Sequence, residues 1–403
     1  MRLAIVLLFA LSSAVSLKAE AQSTPSDIDR LINQLGDEDF AAREAAITRL
    51  VKIGEPALAA LKKATQHADP EIRRRARETI VRIEDRAGRE LRTIRPGPNA
   101  QGDDYRIHAL FSGDGRHAIA LGGDVVWIDL ETGKQVKRLL QTHWPRLAQG
   151  LSRDGRFLAT SHQTSDRLHV LDTLKMDLVG SCHNPDRFDR EKLWRPEIRA
   201  AAFSHDGDSI ALGGGGKTIR IYDAKTFKEL VTIDHGEHEL SALAFSPDGQ
   251  HLASAAVTVG YQDRPVYLWD LKTKKVVKTF TAHDRYICTV LFTPDGKKLL
   301  TAGNDGWMIL WDVATGKELK RMTHSQTDPD SVIVRAAISP DGKRALTAGG
   351  PNRTLRVWDL DTGKTIRVFD THTAPVGSVA FSPDGRRALS CDAREIKLWK
   401  LPE

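Results

Sequence analysis

The residues best suited to chemistry are a glycine run, a set of recurring histidines and three cysteines. Ala211 to Thr218 holds four consecutive glycines followed by Lys217 and Thr218, the loosest form of a phosphate-binding loop. Such a loop works where a helix follows, because the free N–H groups of the first helical turn hold the phosphate. Here Ile219, Ile221 and Tyr222 follow with the alternation of a strand, so the run is expected to be a hairpin turn. His143, His183, His235, His283, His324 and His372 are spread evenly along the chain. A metal ion needs imidazoles converging on one point with carboxylates behind them, so each histidine is expected to serve its own strands instead. Cys182, Cys288 and Cys391 form no C-x-x-C and no C-x-x-C-H. An odd, sparse set excludes a disulfide framework and c-type haem attachment, and leaves three small buried hydrophobes. No Ser-His-Asp, H-E-x-x-H or paired-carboxylate pattern stands out, so no catalytic residue, cofactor or metal is expected.

The elements that carry these residues repeat. A Ser/Thr-x-Asp-Gly turn occurs seven times, with Asp114, Asp154, Asp206, Asp248, Asp295, Asp341 and Asp384 at spacings of 40, 52, 42, 47, 46 and 43. An alternating apolar strand precedes each turn, as at Leu243 to Phe245, and a second follows, as at Lys298 to Thr301. A third strand ends in an aromatic-Asp pair, seen at Tyr222-Asp223, Trp269-Asp270, Trp311-Asp312 and Trp358-Asp359. A fourth follows a short hairpin, as at Glu318 to Arg321. Four short strands per unit of about 40–45 residues is the pattern of a β-propeller blade. The fold class is therefore mainly β: a seven-bladed propeller preceded by a small all-α segment.

Residues 89 to 400 resemble WD40 repeats. That family holds each blade with a His, a Ser/Thr, an Asp and a Trp, and the resemblance assigns those structural roles to His283, Thr301, Asp305 and Trp311. A buried indole N–H needs an acceptor, and an imidazole bridging hydroxyl and carboxylate satisfies every member. Other blades depart from the pattern: His372 and Trp399 survive in the last, Tyr222 and Leu171 replace Trp in the third and second, and Ile128-Asp129 stands at the pair position of the first. The last blade ends at Leu398 to Lys400 without a fourth strand, whereas Glu90 to Ile94 resembles the fourth strand Glu229 to Ile233. Strand 89–94 is expected to complete the seventh blade and hide its open edge.

Residues 26 to 86 carry a helical period. Phe40 to Ile47 and Pro70 to Arg77 are similar segments thirty residues apart, each behind an acidic turn (Asp37 to Asp39, and Asp69) able to cap a helix. Gly54 and Pro56 separate them, with a shorter helix expected from Pro56 to Ala64. This segment is similar to a pair of HEAT repeats. Arg73 to Arg77 invites an anion, but acids and bases number twelve each between residues 26 and 86, so pairing with Glu71 and Glu78 on one helix face is expected. Two helical repeats bury little surface, so the segment is expected to dock on the propeller or on a partner. The expected domains are a signal peptide at 1–21, the HEAT-like segment at 22–87 and the propeller at 88–403.

The N-terminus joins a basic start, an apolar run from Leu3 to Val15 and a small-x-small site at Ala19 to Ala21. The run is too short for a bilayer of about 30 Å, and Lys18 and Glu20 close it early, so an exported chain is expected rather than an anchored one. The mature protein is placed in a periplasm or outside the cell. Loss of Arg2, Lys18 and Glu20 moves the formal charge from +6 to +5. That excess does not imply nucleic acid as a partner.

Two regions are expected to face protein or peptide partners. One is the extra sequence Asn184 to Pro196 with Phe188, Leu193 and Trp194, for which packing on the propeller's side is the alternative. The other is the rim where loops meet the innermost strands. The family resemblance places Tyr105, Arg146, Glu197, Glu239 and Tyr286 there, with Asn304 before the turn at Asp305. The function expected is a non-catalytic interaction platform; the alternative is an enzyme or small-ligand binder using the mouth of the central channel.

Overall fold

The structure is a computed structural model describing residues 24–96, 108–122, 124–139, 147–161, 166–184, 197–215, 217–236, 239–257, 264–281, 283–324, 332–350, 352–369 and 372–402. Residues 1–23, where the signal peptide is expected, and His143, Tyr105, Arg146, Trp194 and the rest of 185–196 lie outside them. The chain divides into two compact units between Glu84 and Asp85.

The first unit holds helices α1 (Pro25–Asn33), α2 (Phe40–Ile53), α3 (Glu55–Ala64) and α4 (Pro70–Ala87). Their starts are chemically encoded. Thr24 and Asp27 cap α1 reciprocally, and Asp39 accepts from Ala41 N–H at 3.0 Å. Asp69 accepts from Glu71 N–H at 2.7 Å at the start of α4. The thirty-residue similarity has a structural counterpart: Arg43 donates to the carbonyls of Asp37 and Glu38, and Arg73 donates to those of His67 and Ala68. Each arginine ties its helix to the loop before it. Ile28, Leu31, Leu35, Ile47, Leu50, Leu61, Ile72 and Ile83 form the shared core. Arg74 pairs with Glu71 at 2.7 Å and Glu78 at 2.6 Å, as the helical spacing requires. Among the described residues no helix is long and apolar enough to cross a membrane.

The second unit is a seven-bladed β-propeller, each blade an antiparallel four-stranded sheet. The innermost strands are His108–Phe111, Leu147–Leu151, Ile198–Phe203, Glu239–Phe245, Ile287–Phe292, Ile333–Ile338 and Ser378–Phe381, taken as blades 1 to 7. Strand Arg89–Ile94 is the outer strand of blade 7, antiparallel to Ile396–Lys400, with Glu90 opposite Trp399. The two ends of the propeller sequence therefore share one sheet.

The seven turns are alike for a physical reason. In blade 1 the Ser112 hydroxyl donates to Asp114 at 2.6 Å, Asp114 accepts from Arg116 N–H, and Gly115 takes φ +66°, which a Cβ would strain. Apolar residues facing between sheets form cores shared by neighbouring blades, such as Ile219, Leu240, Leu252 and Trp269.

Candidate functional site

Among the described residues, four blades carry a buried polar chain. In blade 5 the Trp311 indole N–H donates to Thr301 Oγ1 at 3.0 Å, Thr301 lies 2.7 Å from His283 Nε2, and His283 Nδ1 lies 2.7 Å from Asp305. Indole only donates and carboxylate only accepts, so the proton order is fixed: Nδ1–H donates to Asp305 and the Thr301 hydroxyl donates to Nε2. Blade 4 repeats the chain with His235, Ser254 and Trp269, blade 6 with His324, Thr347 and Trp358, and blade 7 with His372, Ser390 and Trp399.

Blade 7 corrects one sequence expectation. Ser390, His372 and Asp392 do form a Ser-His-Asp constellation, at 2.6 Å and 3.3 Å. It is no nucleophile, because all three are buried and the Ser390 oxygen also accepts the Trp399 N–H. A nucleophile must reach a substrate. The pattern escaped a sequence search because His372 lies on a separate segment, eighteen residues before Ser390.

His372, Asp392 and Glu395 also form a group of metal-ligand type, with one ligand atom from each within 4.8 Å of the others. The local cation is already supplied by protein: Lys397 Nζ lies 3.4 Å from Glu395 and 2.9 Å from Glu90. Burial alone pushes the Asp392 carboxyl up, yet His372 and the N–H groups of Arg394 and Glu395 hold it down at about 2. Asp392 is thus a structural anion. The three cysteines are buried and unbridged; burial pushes Cys182 up to about 12 and Cys288 up to about 11, so neither is a ready thiolate.

The glycine run joins strands Ser209–Gly214 and Thr218–Asp223, a hairpin with no following helix. A Cβ on Gly214 would lie 1.9 Å from the Glu197 carbonyl, so close strand approach accounts for that glycine.

Four sequence-predicted rim residues are described, and they fall into two pairs. Glu197 is buried and Glu239 half-buried, and Arg199 joins them, 3.5 Å from Glu197 and hydrogen-bonded to Glu239 of the next blade. Tyr286 and Asn304 meet through the backbone, Asn304 N–H donating to the Tyr286 carbonyl at 2.8 Å. Sequence reasoning missed Arg199, whose role depends on two neighbouring blades. The central channel, considered from sequence as an alternative site, holds a cavity of about 660 Å³ lined by the innermost strands and their turns; Arg153, His205 and Arg335 in that lining were not singled out from sequence.

The comparisons with known proteins follow the same geometry. The model for HEAT repeats matches residues 13–90, and the model for the WD domain, G-beta repeat, matches 227–270, 274–312, 317–359 and 363–400. The chain joins HEAT repeats to WD40 repeats. Each WD40 match ends one residue past the Trp of one buried chain: Trp269, Trp311, Trp358 or Trp399. Blades 1 to 3 have Ile128, Leu171 and Tyr222 there and fold without it. Similar proteins include WD repeat and SOCS box-containing protein 1 of Homo sapiens, 33% identical over 103 residues, 25% of this chain and 24% of that protein. Transcription initiation factor TFIID subunit 5 of Caenorhabditis elegans is 41% identical over 51 residues, 12% of this chain and 8% of that protein. The chain thus matches about a quarter or less of the length of these relatives. A solved structure, Kuenenia stuttgartiensis hydrazine synthase, superposes with a TM-score of 0.61 at 19% identity, covering 73% of this chain and 95% of that one. That likeness concerns the WD40 propeller's fold and not the enzyme's activity.

Proposed function

We propose that this protein is a non-catalytic interaction platform, exported from the cytoplasm, that binds protein or peptide partners through the WD40 propeller's rim and its HEAT repeats. The observation that carries the reading is how the polar groups are used. Buried hydroxyls, imidazoles and carboxylates are spent on holding four blades. The rim instead presents Glu239, Tyr286 and Asn304, half-buried polar side chains (an acid, a phenol and an amide) suited to protein contacts. WD-repeat relatives support an interaction role in general terms. Export rests on the apolar run and small-x-small site of residues 3 to 21.

A photo-crosslinking residue at Tyr286, compared with one at the exposed outer-strand residue Leu230, tests the rim. Partner adducts at 286 and none at 230 support the platform. Adducts at both, or at neither, contradict it. Cleavage after Ala21 in the protein recovered from its native source tests export.

A second reading has one observation behind it. Arg335 and Arg153 line the channel cavity, two guanidinium groups suited to a small anion, while burial and the charge of Arg153 lower the pKa of His205 beside them. Saturable uptake of a small dicarboxylate, lost in Arg335→Gln, would favour it.

A further inference from the structure

Blades 3 and 7 of the propeller share one cross-strand ion pair, and blade 6 keeps only its cation. In blade 3 the cation two residues before the aromatic of the third strand is Arg220, and it pairs at 2.8 Å with Glu229. In blade 7 the same position is Lys397, paired at 2.9 Å with Glu90. Each glutamate stands opposite that aromatic in the outer strand: Glu229 opposite Tyr222, Glu90 opposite Trp399. In blade 6 the cation is Arg356, and the residue opposite Trp358 is Thr365. The carboxylate is missing.

Among the described residues no other acid replaces it. The Arg356 Nε is buried without a hydrogen-bond partner, and the guanidinium packs 6.0 Å from the centre of the Trp358 ring. Its neighbour His324 is buried, with both ring nitrogens engaged by the hydroxyls of Thr347 and Thr354, so it offers no charge to Arg356. Arg356 is held below the usual guanidinium range by burial. A partly desolvated cation of this kind is stabilised when an anion meets it.

The residues around it form a cleft of about 880 Å³ between blades 5 and 6, whose lining includes Trp307, Arg321, Lys364 and Thr365. None of its described lining residues is acidic. Arg321 lies 5.5 Å from the centre of the Trp307 ring and is neutralised by Glu318 at 2.6 Å, so the wall on that side is aromatic and closed in charge. The open charge is at Arg356 and Lys364.

We infer that this cleft binds an acidic-apolar segment of a protein partner, one carboxylate taking the place on Arg356 that Glu229 takes on Arg220, with an apolar side chain against Trp307. The inference rests on the platform reading and gives it a second contact surface away from the rim. A planar guanidinium suits a carboxylate because two parallel N–H groups can meet its two oxygens.

The test uses the full chain and a fluorescently labelled peptide rich in Glu and Leu, followed by anisotropy. Thr365→Glu restores the carboxylate of blades 3 and 7 and should occupy Arg356 from within. Arg356→Gln removes the charge directly. Saturable binding by the wild type, weakened about 10-fold or more in both variants while their melting temperatures stay at or above that of the wild type, is the expected result. Unchanged affinity in Thr365→Glu overturns the inference, as does the absence of saturable binding by the wild type. Displacement by an equal concentration of inorganic phosphate also overturns it, by making the cleft a site for free anions. Rim crosslinks at Tyr286 are read independently, so failure of the cleft and failure of the platform are separate outcomes.

Discussion

Lys397 Nζ donates to Glu90 across 2.9 Å, joining the last strand of the chain to a strand more than three hundred residues earlier. The pair is half-shielded, and beside it Ile94 packs into the core that blades 1 and 7 share. The seventh blade is thus closed by residues that come before the first. An open final strand would present a row of unpaired backbone groups to other chains.

Closure is tested by Ile94→Ala. Ile94 is 4% exposed, and removing its buried methyl groups should cost about 2–5 kcal/mol. Urea unfolding reads this, with self-association rising at sub-denaturing concentrations. A loss within error of zero would mean that strand 89–94 contributes nothing to the ring.

Thr301→Val keeps the shape of the side chain and removes the hydroxyl between His283 and Trp311. Two buried groups then lose their partner, at about 1–3 kcal/mol each. The expected destabilisation exceeds that of Thr315→Val, whose hydroxyl sits in an exposed turn on Asp312. Thermal melts of the two variants decide the order.

The pH dependence follows from His324. Burial, reinforced by the charge of Arg356, pushes its imidazole down to about 3. An unfolded histidine titrates near 6.5, so below that pH the unfolded chain takes up a proton that the folded chain refuses. Stability from this residue is complete above about pH 6.5 and is lost as pH falls toward 3, by at most about 1.4 kcal/mol per unit. Urea unfolding between about pH 6.5 and 5, where carboxylates contribute little, should show a steeper loss in wild type than in His324→Gln. Parallel curves would contradict a neutral, buried His324.

In the helical unit, Asp69→Ala removes the acceptor for the first N–H groups of α4 and should cost about 1 kcal/mol. Arg74→Gln should change the melting temperature little, since its ion pairs with Glu71 and Glu78 are exposed. Circular dichroism melts compare the two.

What was legible in the sequence was local. The Asp-Gly turns and the Trp-Asp pairs each arise from a few neighbouring residues whose chemistry forces one conformation, so seven copies announced the blades. The helix starts at Asp39 and Asp69 were legible for the same reason. What was not legible depends on which strand lies opposite which. Trp358 faces Thr365 only because the register shifts by one residue between Val357 and Trp358, and that pairing puts a threonine where blades 3 and 7 have a glutamate. Arg199 bridges Glu197 and Glu239 only because blades 3 and 4 are neighbours in the ring. His372 meets Ser390 and Asp392 in blade 7 from a separate segment, and only their burial tells them from a catalytic set.

The central claim is that the WD40 rim recognises a protein partner. Its most direct test is capture from the native source by the mature protein, beside a variant carrying Arg146→Ala, Glu197→Ala and Tyr286→Ala whose melting curve shows it folded. The account predicts a partner held by the wild type and released by the variant, with affinity for the purified partner reduced at least tenfold, about 1.4 kcal/mol. A partner held equally by both would contradict a rim site and move recognition to another surface of the chain.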